Sequence, residues 1–69
     1  MNRDQFMRDL RKYCRTNGLP APTLTVHHGK GGHGQIEFGR RRTTIPSGEL
    51  KAFTKEGILK QLGLPKGAL

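Results

Sequence analysis

Tryptophan is absent from this chain, cysteine occurs once, and only five residues are acidic. A lone thiol, Cys14, rules out an internal disulfide and any cysteine-based zinc site. Aromatic residues make up only 6%, one Tyr and three Phe. Three of the four, Phe6, Tyr13 and Phe38, fall at apolar-face positions, so stacking on single-stranded bases is not expected to dominate. No apolar run approaches the ~20 residues of a membrane span. The opening Met-Asn-Arg-Asp-Gln lacks the apolar centre of a signal peptide. No membrane partner is expected, and a cytoplasmic location is the simplest reading.

What the chain does have is positive charge. Its net charge is +8 and its isoelectric point about 10.7. Residues 1–18 and 27–45 carry +3 each and residues 46–69 carry +2. An excess spread in this way suits a basic face on a folded domain better than a basic tail, and it calls for a polyanionic partner. Sixty-nine residues make one domain, 1–69. A chain of that size buries roughly 60% of its unfolded surface, so its core is small.

Apolar periodicity predicts a helix over residues 2–17. Phe6, Met7, Leu10, Tyr13 and Cys14 fall on one face, and Arg8, Arg11, Lys12 and Arg15 on the other. Asn2 is placed to cap it, with Gln5 completing a capping box, and Gly18 to stop it. Alternating runs predict strands over 23–27, 33–38 and 41–45, the last ended by Pro46. On the second strand Ile36 and Phe38 face one way and His33, Gln35 and Glu37 the other. Residues 47–53 read as a loop. Thr54 reads as the cap of a second helix, with Glu56 near its positive end and Ile58, Leu59 and Leu62 on its apolar face. Short connections favour an antiparallel meander. The expected fold class is α+β, in the order α-β-β-β-α, with two helices on one face of a three-stranded antiparallel sheet. Its expected core is Phe6, Leu10, Tyr13, Ile36, Phe38, Ile45, Ile58, Leu59 and Leu62.

The stretch from Gly29 to Pro46 holds the candidate chemistry. Four glycines among six residues surround His33. Gly31 and Gly32 allow a ligand to approach the backbone closely. Histidine is the side chain whose charge changes near physiological pH. A neutral imidazole is suited to take the proton of an RNA 2′-hydroxyl, and cations are suited to stabilise the charge that develops on phosphorus. Lys30, Arg40, Arg41 and Arg42 are close to His33 in sequence, and arginine pairs phosphate oxygens bidentately. Each feature has a plainer explanation: His33 as a solvated strand residue, the three arginines as a solubilising hairpin tip, the basic stripe of the first helix as a solvated face. A metal site from His27, His28 and His33 lacks an acidic partner, and no metal is expected. Gly29-Lys30-Gly31-Gly32 is not a P-loop, since no Gly-Lys-Ser/Thr and no helix follow it. No cofactor is expected.

Gly31-Gly32-His33, Thr44-Ile45-Pro46, Glu49-Leu50-Lys51, Thr54 and Ile58-Leu59-Lys60-Gln61-Leu62-Gly63, in that order and spacing, resemble the HicA family of toxin mRNA interferases. The likeness covers residues 31–64, and the amphipathic first helix agrees with it. It implies a fold similar to the double-stranded-RNA-binding domain, mRNA cleavage, and a HicB-type antitoxin partner. The family's catalytic histidine falls on His33. Gly32 stands where the family often has serine, and the loop after Pro46 is short and carries no histidine. Two other classes stay open. One is a non-catalytic RNA-binding module of the same topology, against which Thr54-Lys55-Glu56-Gly57 offers only one lysine at the start of the last helix. The other is a small basic protein that binds only an acidic partner.

Overall fold

The computed structural model describes residues 1–26 and 33–69. Five elements follow one another: α1 (Arg3–Thr16), β1 (Thr23–Val26), β2 (Gly34–Phe38), β3 (Arg41–Ile45) and α2 (Ala52–Gln61). The α+β class and the α-β-β-β-α order are those expected. His27, expected to end the first strand, lies outside the described residues, as do His28, Gly29, Lys30, Gly31 and Gly32.

Asn2 starts α1, its side-chain oxygen accepting the backbone N–H of Gln5 at 2.8 Å. The expected capping box does not close. The Gln5 amide instead donates to Asp9 one turn along, at 2.9 Å. Both helices end in the same way. Leu19 N–H donates to Cys14 C=O and Gly18 N–H to Arg15 C=O; Leu64 N–H donates to Leu59 C=O and Gly63 N–H to Lys60 C=O. Gly18 and Gly63 take φ of +67° and +78°, the left-handed conformation this closure requires.

The second helix begins earlier than expected. Lys51 is its N-cap, with extended backbone and no side-chain cap, and Thr54 lies inside the helix. The entry is held from outside. Leu50 is buried, its N–H donates to the Met1 carbonyl, and Asn2 bridges Glu49. With the chain fixed at Leu50, the helix starts at Ala52 without a capping side chain, and Phe53 belongs to α2 rather than to a loop. Glu56 is likewise not at the positive end. Its carboxylate accepts the N–H of Gly67 at 3.2 Å and ties down the C-terminal segment.

The sheet has the order β1-β2-β3, antiparallel throughout. Register pairs Leu24 with Ile36 and Ile36 with Thr43, and pairs Val26 with Gly34 and Gly34 with Ile45. These rows share one face, because alternate residues of a strand point to the same side. Phe6, Met7, Leu10 and Cys14 of α1 and Ile58 and Leu59 of α2 close on that face with Leu62, Leu50, Ile36 and Ile45 in one core. Both helices therefore cover the same side. Tyr13 and Phe38, expected inside, are half-buried against this core, and Met7, Cys14 and Leu50 join it. A side chain on Gly34 would be tightly placed: a Cβ there would stand 3.0 Å from the Leu24 side chain and 3.3 Å from the Thr25 carbonyl.

Two substitutions test this packing with opposite signs. Leu10 is fully buried, and Leu10→Ala is expected to cost about 2–5 kcal/mol. Gly57 is exposed within α2, and a Cβ there meets nothing within 4 Å. Gly57→Ala is expected to add about 0.5–1 kcal/mol, the helix preference of alanine over glycine. Urea denaturation measures both, and a Leu10→Ala protein as stable as wild type contradicts the core.

Candidate nucleic-acid interface

The strands and helices give the molecule two unlike ends. At one end lie the start of β2, the end of β3, residues 46–50 and the first residues of α1 and α2. Gly34 pairs with Ile45 there, and Glu49 bridges Asn2. At the other end lie the Gly39–Arg40 turn and the C-termini of both helices. Arg41 marks this end, because its side chain reaches the position that a Cβ on Gly63 would occupy.

His33 is at the first end, exposed, one residue before β2. Strand alternation continued by one residue puts it on the face away from the helices, with Gln35 and Glu37. That face also carries Thr23, Thr25, Arg42 and Thr44, and neither described helix covers it. Lys30, Gly31 and Gly32, the other residues expected to flank the reaction, lie outside the described residues.

The Arg40-Arg41-Arg42 turn is at the opposite end from His33, which corrects the expectation that closeness in sequence gives closeness in space. Arg42 is level with Glu37, roughly 14 Å along β2 from His33, and the turn is about 20 Å away at ~3.4 Å per strand residue. The turn and His33 are thus set apart along the sheet. The three arginines are also divided among themselves. Arg42 pairs with Glu37 on the open face, while Arg41 pairs with Phe38 on the helix side. The Arg41 guanidinium lies over Gly63 at the negative end of α2, where a cation is favourable.

A second cationic feature runs along α1. Asp4, Met7, Arg8, Arg11, Lys12, Arg15 and Leu24 line a groove of about 530 Å³ between α1 and β1. Its apolar floor is Met7 and Leu24, and four cations face one carboxylate along its walls. The basic stripe of the first helix is thus one wall of a concave track. Cys14 takes no part in it. The residue is buried, and burial pushes its thiol up, so it is a core side chain and not a nucleophile.

Phe53 is the functional candidate that sequence reasoning missed. It is 76% exposed on the first turn of α2. The signal was present, since nine residues at 3.6 per turn put Phe53 about 180° from Leu62. It is read only once the helix is known to start at Ala52. Among the described residues no group of three His, Cys, Asp or Glu side chains comes together, and no helix is long and apolar enough to cross a membrane. No family model, no curated protein and no solved structure matches this chain.

The division of the arginines has a measurable consequence. Arg40→Ser and Arg42→Ser are each expected to reduce the slope of log affinity for single-stranded RNA against log salt by about 0.7. Arg41→Ser is expected to leave the slope unchanged and to lower stability by about 0.3–1 kcal/mol. A salt titration of binding beside urea denaturation reads both, and a flattened slope in Arg41→Ser contradicts this placement.

Proposed function

We propose that the protein is a toxin endoribonuclease similar to the HicA mRNA interferases, cutting mRNA by metal-independent transesterification with His33 as general base. The observation that carries this reading is an exposed histidine at the start of β2, on the open face of a strongly basic domain. The motif likeness over residues 31–64 and the α-β-β-β-α order support it. Neutral His33 takes the proton of the 2′-hydroxyl. The 2′-oxygen bonds to the adjacent phosphorus, the bond to the 5′-oxygen breaks, and that oxygen takes a proton from water. The products are a 2′,3′-cyclic phosphate and a 5′-hydroxyl.

The division of the cations assigns them different work. Lys30, two residues from Gly32, is the cation nearest His33 in sequence and is the one suited to the charge on phosphorus. The backbone of Gly31 and Gly32 gives the substrate close approach. Arg40 and Arg42 bind the RNA chain away from the cut, and Arg41 supports them from the helix side. The partner that neutralises the toxin is a HicB-type antitoxin whose acidic groups meet this basic surface. Covering the open face over His33 would deny it substrate, and charge complementarity would speed association.

His33→Ala is expected to fold as wild type, keep its RNA affinity and lose cutting by at least about 10²-fold. A defined RNA incubated with purified protein in EDTA checks this. Growth arrest on expression, relieved by the neighbouring reading frame, checks the toxin and its partner. Cleavage that survives His33→Ala, or that stops on adding EDTA, contradicts the assignment. RNA bound by wild type and never cut would instead favour the non-catalytic module.

A further inference from the structure

The outer face of α2 has a chemistry that the reading above does not use. Phe53 stands on it, 76% exposed. One turn further along is Gly57, whose missing side chain leaves that flank of the ring clear. A groove of about 330 Å³ continues from there, lined by Glu56, Gly57, Lys60, Leu64 and Lys66. Glu56 is its one acid, and its carboxylate already accepts the Gly67 N–H. Lys51, exposed, precedes the helix. An aromatic ring therefore heads a cationic channel, at the end of the molecule where β3 gives way to residues 46–50 and where His33 lies.

We infer that Phe53 is a stacking platform for one unpaired base of single-stranded RNA, with Lys51, Lys60 and Lys66 taking the phosphates beside it. The ring face accepts any base, and the lysines track the backbone. A duplex keeps its base faces stacked within itself, so only an unpaired strand offers one. The inference rests on the ribonuclease reading for its biological setting and adds the substrate class: the strand is captured single, by its base, at the same end of the molecule as His33 but on the opposite side of the sheet. A protein partner fits this surface less well. Among the described residues, the exposed neighbours of Phe53 along α2 are small or charged, Ala52, Gly57 and Lys60. A second copy would bring lysine against lysine.

The test uses a probe that cannot be cut, a short 2′-O-methyl oligoribonucleotide, single or annealed to its complement. The chain has no tryptophan, so Phe53→Trp places one reporter at the site. Its fluorescence is expected to be quenched by the single strand and not by the duplex. Phe53→Ala is expected to weaken single-strand binding about 5- to 150-fold, with the salt slope and the duplex affinity unchanged. Single-strand affinity that is the same in Phe53→Ala and wild type overturns the inference. So does a Phe53→Ala protein that dissociates from dimer to monomer in sedimentation while its RNA affinity stays constant. The probe has no free 2′-hydroxyl, so the two readings fail separately. Quenching in a protein that cuts no RNA upholds the platform and defeats the ribonuclease; cutting without quenching does the reverse.

Discussion

Ile36 and Ile45, fully buried on one face of the sheet beneath Phe6, Leu10 and Leu59, decide where everything else in this small domain goes. A chain of 69 residues cannot bury both faces of its sheet. The two helices crowd onto the face that carries the isoleucines, and the opposite face is left to Thr, Gln, Glu and Arg side chains. Because both helices begin at the end where β2 starts, that end gathers the loop after Pro46, the start of α2 and His33. The Arg turn is carried to the other end by the length of β2.

That geometry separates features that composition alone would merge. Positive charge is distributed over the Arg turn, the groove along α1 and the outer face of α2. None of these coincides with His33. On the proposed reading, a basic protein laid out in this manner would hold a polyanion at several points and act on it at one. Arg41 shows how residues of one run part company. The strand period sends it to the helix side, where it steadies the last turn of α2, while Arg42 stays on the open face.

The architecture was legible because each of its signals is local. The spacing of Phe6, Leu10 and Cys14, the alternation of Ile36 and Phe38, and the prolines and glycines between runs all act within a few residues. The start of α2 was not. It depends on Glu49 and Leu50 being pinned to Asn2 and Met1, almost fifty positions away, and no cap side chain announces it. That missed start hid Phe53, which changed from a loop residue into the exposed head of a cationic channel. The position of His33 at the mouth of β2 was readable from the sequence. Its distance from the arginines was not, since strands separate residues that a count of positions makes neighbours.

The central claim is that a 2′-hydroxyl is the nucleophile, activated at His33. It is tested most directly on an oligodeoxynucleotide carrying a single ribonucleotide. The account predicts one cut, at the linkage on the 3′ side of that ribonucleotide, leaving a 2′,3′-cyclic phosphate, and no cut when the same position is 2′-O-methylated. Cleavage of the methylated strand, or a cut elsewhere in the deoxy chain, would contradict it.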